Sequence, residues 1–156
     1  MGSRSPSGTD RGFALLDALI AIALLGLLAV GTMSLLHGGA RAARAAGDLD
    51  RGLAAARSCL ARLEAKSFHE LPEHFEADPA DLEARLDTAD GSAPDGWEQL
   101  VDGLRGGSLD ARLEALGEGG VAVSFADAVA LRIIVKAQWR LGASHTREVT
   151  LVATRF

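Results

Sequence analysis

From Phe13 to Leu36 the chain runs for 24 residues with a single charged side chain, Asp17. As a helix this stretch is about 36 Å long, enough to cross a hydrocarbon core of ~30 Å. No other feature constrains the fold as much, because an all-apolar helix must lie in lipid or be covered by many neighbours. An anchor that only held a domain in a bilayer would have no use for the acid. A carboxylate costs roughly 2.5–3.5 kcal/mol at the centre of a membrane helix, so one retained there points to a function.

Residues Met1 to Gly12 form a polar leader carrying Arg4, Asp10 and Arg11. With the N-terminal amine it is positive, which holds it on the cytoplasmic side while the helix inserts outward. It reads as a processing segment, outside the fold. Gly12 lets a peptidase approach the backbone closely. Cleavage there would give Phe13 a free ammonium group, with Asp17 about 6 Å further along the helix axis. In a bundle of staggered helices this carboxylate can meet the free amine of a neighbour. Opposite charges about 4 Å apart attract by about 4 kcal/mol at an effective dielectric of ~20, before desolvation is subtracted. Such a pair sets register more than it adds stability, since a misplaced subunit would bury both charges unpaired. Two other readings compete. Ala29-Val30-Gly31 resembles an A-x-A site for ordinary signal peptidase, which would release a soluble domain; an acid inside the apolar region argues against it. The other is a plain uncleaved anchor.

Past Leu36, His37-Gly38-Gly39 is expected to loosen the helix, each glycine costing about 1 kcal/mol relative to alanine. Helical character then resumes through residues 37–67. Leu49, Leu53, Ala56, Leu60 and Leu63 make an apolar stripe beside Asp50, Arg51, Arg57 and Arg62. The expectation is one helix of some fifty residues, whose second half is amphipathic and packs on a single domain.

Residues 68–120 read as a variable region of short helices. Asp78-Pro79 would open one through Leu82 and Leu86. Another would surround Trp97, Leu100 and Leu104. Ser108 would start a third, with Leu109, Leu113 and Leu116 on one face and Gly117 as its stop. From 121 to 156 the period changes to two. Val121, Val123 and Phe125 alternate with small residues. Leu131, Ile133, Val135, Ala137 and Trp139 alternate as well, and so do Val149, Leu151 and Ala153. The glycine turn at Leu141–His145 makes the last two runs an antiparallel hairpin. The expected class is α+β: a long N-terminal helix packed on a small C-terminal antiparallel sheet.

The residues give little support for other chemistry. A net charge of −5 and a pI near 5.3 offer nothing to nucleic acid, and no basic stripe is present. Cys59 is the one cysteine, so no internal disulfide exists, and its apolar neighbours suggest a buried side chain. His69-Glu70-Leu71-Pro72-Glu73-His74 evokes a zinc-protease helix, where two histidines four apart face one metal. Here they are five apart, about 140° around a helix, and Pro72 interrupts it. A solvated helix end is the simpler reading. His37 would meet the membrane interface, and His145 would lie in the hairpin turn. Gly117-Glu118-Gly119-Gly120 lacks the lysine of a phosphate loop. Trp97 and Trp139 read as core. No catalytic constellation, metal site or cofactor site is expected.

The N-terminus resembles the type IV prepilin family, whose members carry a basic residue, glycine, usually phenylalanine, and glutamate at the fifth mature position. Arg11, Gly12 and Phe13 match residue for residue, and Asp17 stands where the family has glutamate, one methylene shorter. The stretch Ala54–Leu71 and the late paired strands look like PilV-type minor pilins and their relatives among type II secretion pseudopilins. The resemblance implies a pilin-like fold, cleavage after Gly12 by a prepilin peptidase and N-methylation of Phe13. It also implies an assembly contact at Asp17. The partners implied are other pilins or pseudopilins, an inner-membrane assembly platform driven by a cytoplasmic ATPase, and membrane lipid before assembly. The protein would be a minor subunit, single-pass in the inner membrane with a periplasmic head, and then part of a pilus or periplasmic filament. The alternatives are a type II secretion or competence pseudopilin, or a membrane-anchored binding or adhesion module.

Overall fold

One helix, α1, runs from Gly8 to Glu64 without a break. The structure is a computed structural model. It describes the backbone of residues 8–141 and 145–156, and side chains from Leu15 onward within them. Residues before Gly8, and Gly142-Ala143-Ser144 of the expected glycine turn, lie outside the described residues. Helix continues through Gly38 and Gly39, contrary to the expected loosening. Two glycines cost about 2 kcal/mol against alanine, and the long flanking runs of Leu and Ala propagate helix across them.

The chain divides into two compact units, residues 1–44 and 45–156. In the first, every described side chain from Leu15 to Arg44 is exposed. In the second, the last three turns of α1 bury one face, made of Gly52, Ala55, Ala56, Cys59 and Leu63. The stripe expected from Leu49, Leu53 and Leu60 is displaced: Leu49 is 40% exposed, and the other two are half-buried. The helix turns its small residues inward because the sheet presents Trp139 there, and a Cβ at Gly52 would overlap the indole. The end of α1 is closed by Arg155, whose Nη2 donates to the carbonyls of Glu64 (2.8 Å) and Lys66 (2.9 Å). Carbonyls at a helix C-terminus have no partner within the helix, and a cation there also complements its dipole.

Four strands form one antiparallel sheet in the order β1-β2-β3-β4. They are β1 (Glu83–Asp87), β2 (Ser108–Leu116), β3 (Ala130–Leu141) and β4 (His145–Arg155). The architecture is therefore the expected α+β, a long helix followed by an antiparallel sheet. Strands β3 and β4 are the expected hairpin, with Val135 opposite Leu151 and Trp139 opposite Arg147. His145 is the first residue of β4 rather than part of the turn.

The middle region corrects the sequence reading. The helices expected through Leu82–Leu86 and Ser108–Leu116 are strands β1 and β2. Leu109, Leu113 and Leu116 do recur at helical spacing, but Leu109, Ala111, Leu113 and Ala115 also alternate, and all four are buried. Nine residues of β2 pair with β3, which settles the ambiguity in favour of strand. Asp78 does cap a turn, accepting from the Ala80 N–H at 2.9 Å, but the chain then enters β1. Around Trp97 only a 3-10 turn forms, Glu98–Val101. Val121 to Phe125 form no strand; a single bridge joins Ala122 to Leu116. A five-residue helix, α2 (Glu70–His74), is entered through Ser67. The Ser67 N–H donates to the Glu70 carboxylate (2.9 Å), and the Glu70 N–H donates weakly to the Ser67 hydroxyl (3.4 Å), the reciprocal pattern of a capping box.

The core lies between the buried face of α1 and the inner faces of β2 and β3, with Leu71 from α2, Phe75 just after it, and Trp97, Val101 and Leu104 from the β1–β2 connection. The outer face is polar. Asp87 and Asp110 stand directly opposite one another, and both are largely buried. Like charges so placed repel. Arg85 separates them, with Nη2 on Asp87 (2.7 Å) and Nε on Asp110 (2.8 Å), and this pairing raises the Arg85 pKa further.

Candidate assembly site on the N-terminal helix

Asp17 sits on α1 one turn before Ile20 and Ala21, among side chains that are all exposed. Toward the C-terminus the next charged side chain on the helix is Arg41. Among the described residues Asp17 has no ion-pair or hydrogen-bond partner. Other polar groups in the run are handled differently. The Thr32 hydroxyl donates to the Ala29 carbonyl (2.9 Å), and His37 Nδ1 lies 2.8 Å from the Met33 carbonyl, where it donates. Hydrogen bonds to the preceding turn let such side chains sit in an apolar medium at little cost. A carboxylate accepts and cannot donate to a carbonyl, so the helix backbone offers Asp17 no such relief.

Residue pairs Arg11–Gly12 and Gly12–Phe13 lie on the helical backbone of α1, four to six residues before Asp17, and their side chains fall outside the described ones. A new N-terminus at Phe13 would place an ammonium and a carboxylate one helical turn apart on the same face. What this arrangement can do is accept a cation from outside the chain while offering one. The helix that carries it is long and apolar enough to cross a membrane, and none of its most apolar window is buried by the rest of the protein.

The remaining residues singled out from sequence lie elsewhere and do not converge. Cys59 is fully buried, and burial pushes its thiol up to about 12 against the opposing pull of Arg62. Glu70 is engaged by Ser67, His69 meets Phe68 edge-on, and His74 meets Phe75 edge-on. Among the described residues no group of three or more His, Cys, Asp or Glu is arranged to hold a metal ion. Trp97 and Trp139 are both in the core, and the Trp139 Nε1–H is buried without an acceptor. That N–H forfeits roughly 1–3 kcal/mol of hydration.

Sequence reasoning missed Gly52, whose lack of a side chain admits Trp139, and Arg155, which closes α1. A glycine inside a helical pattern is a signal of close approach, and Gly52 carried it. Arg155 had none, because its partners are backbone atoms about ninety residues away. A scan against protein-family models, a search of curated proteins and a search of solved structures each find no match to the chain.

Proposed function

We propose that the chain is a structural minor subunit of a type IV pilus or a related pilus-like filament, processed after Gly12 by a prepilin peptidase and assembled through α1. Asp17 carries this reading: one carboxylate, five positions into the mature helix, without a partner among the described residues and on a segment wholly exposed in the isolated chain. Before assembly α1 waits in the inner membrane with the second unit in the periplasm. Joining the filament exchanges lipid for neighbouring helices, so apolar burial is nearly conserved, and packing and the Asp17 contact decide position. The partners are the peptidase, other pilins or pseudopilins, and an assembly platform, and Phe13 is the residue to be N-methylated.

The test is the intact mass and first residue of protein recovered from membranes. A chain beginning at Phe13, with one added methyl, is the expected result. A chain beginning at Thr32 would mean ordinary signal-peptide cleavage. One still carrying the leader would mean a simple anchor for a binding or adhesion module. Either would end the filament reading.

A further inference from the structure

The outer end of the apolar run carries a polar cluster that assembly through Asp17 does not use. Ser34, His37 and Arg41 share one face of α1 at spacings of three and four, and Arg44 continues it seven residues after His37. Below them on the same face lie Ala29, Val30 and Met33, which with Ser34, His37 and Arg41 bound a shallow hollow; Arg44 stands beyond its upper edge. Gly38 deepens it, since nothing stands within 4 Å of where its side chain would be.

Three observations say what fits. The order along the axis is apolar first and then hydroxyl, imidazole and guanidinium. A phospholipid has the same order, from acyl chain to phosphate. The height is also right: from Leu15 to His37 is about 33 Å of helix, close to the ~30 Å of the hydrocarbon core. Finally the charge is uncommitted. No ion pair among the described residues includes Arg41 or Arg44, and the nearest acid along the helix, Asp48, pairs with Arg51 at 3.8 Å. His37 spends its Nδ1 proton on the Met33 carbonyl, so its neutral ring offers a phosphate no donor and the anion's contacts fall to the two guanidinium groups.

We infer that this face is a headgroup site for an anionic phospholipid of the outer leaflet, with the phosphate held by Arg41 and Arg44 and an acyl chain along Ala29, Val30 and Met33. The inference rests on α1 lying in the membrane before assembly. Holding a lipid there fixes the depth of α1 in the membrane, and so the height at which Asp17 waits for a neighbour.

The experiment uses the full chain in detergent, titrated with phosphatidylglycerol or phosphatidylcholine, with retained lipid counted by native mass spectrometry. Phosphatidylglycerol should be retained in preference, and Arg41→Gln and Arg44→Gln should each weaken that preference roughly fivefold, the worth of one cation near an anionic surface. Equal retention of the two lipids, or a preference unchanged in the double variant, overturns the inference. Alkaline extraction of vesicles holding the same proteins separates the two levels. Protein that stays in the vesicles without lipid preference refutes only the headgroup site, whereas protein that washes out removes the membrane reading and the site with it.

Discussion

The six-membered ring of Trp139 occupies the space in which a side chain at Gly52 would stand. A Cβ there would come within 2.8 Å of Cη2 and 2.9 Å of Cε3, and closer still to Cζ3. Trp139 is 1% exposed at the end of β3, so the ring has nowhere to retreat. Gly52→Ala should therefore destabilise the second unit by about 1–3 kcal/mol through overpacking, although alanine is the better helix former by about 1 kcal/mol. Thermal unfolding in detergent measures it. Trp139→Leu should cancel most of the Gly52→Ala effect, and additive losses in the double variant would show that the two residues do not compete for one space.

That contact also explains what was legible in the sequence. Strands β3 and β4 could be read because Leu131, Ile133, Val135, Val149 and Leu151 alternate in β-branched and aliphatic residues that fit no helical period. Strand β2 could not, because its Leu, Ala, Arg and Glu favour helix and its leucines satisfy both periods. Pairing with β3 over nine residues decided it, and that is a tertiary fact. The helix stripe failed for a related reason. Leucine spacing marks an apolar face, but which face meets the sheet depends on the partner, and an indole selects Gly52, Ala56 and Cys59 over Leu49 and Leu53. Asp17 could be singled out from the sequence because it is one charge in an apolar run; its contact with another chain belongs to the proposed assembly.

Cys59 should be inert in the folded protein. It is fully buried with its thiol pushed up to about 12, so the thiolate that reacts with maleimides or disulfide reagents is scarce at pH 8 as well as inaccessible. Labelling at that pH should be absent in native conditions and stoichiometric in denaturant. Rapid native labelling would mean that the contact between α1 and the sheet opens readily. Cys59→Ser should cost no more than about 1 kcal/mol, because a serine inside α1 can donate to a carbonyl of the preceding turn as Thr32 does.

The α2 region should lose stability in two stages on acidification. Burial, aided by the nearby Lys66 charge, lowers the His74 pKa from its ordinary 6.5. The unfolded chain thus takes up the proton first, so this contribution is complete above about 6.5 and declines as pH falls through the lowered folded value. Glu70 is lowered from its ordinary 4.5 by the Ser67 N–H and hydroxyl. Its contribution is present above the unfolded value and lost as pH falls through the folded one. Midpoints of unfolding followed as the pH is lowered from neutrality should show both declines, that of His74 first. His74→Gln should remove only the first and Glu70→Gln only the second. If either variant keeps the full profile of the parent, the assigned group is not its source.

Asp17→Ala separates assembly from anchoring. Removing a carboxylate worth roughly 2.5–3.5 kcal/mol of insertion penalty at most should leave α1 as well inserted as before, or better. Resistance to alkaline extraction should therefore be kept. Incorporation into sheared filaments should fall by at least tenfold, because about 1.4 kcal/mol of lost contact suffices for that factor and the pair it breaks is worth more than that before desolvation. Asp17→Glu should retain assembly, since the charge stays and the arm gains one methylene toward a neighbour's amine. Asp17→Asn keeps the size without the charge and should behave like alanine if the contact is ionic. Wild-type incorporation of the alanine variant would sink the register argument. A loss of both insertion and assembly would point instead to a folding defect in α1, and the retained helical signal of purified protein distinguishes that case.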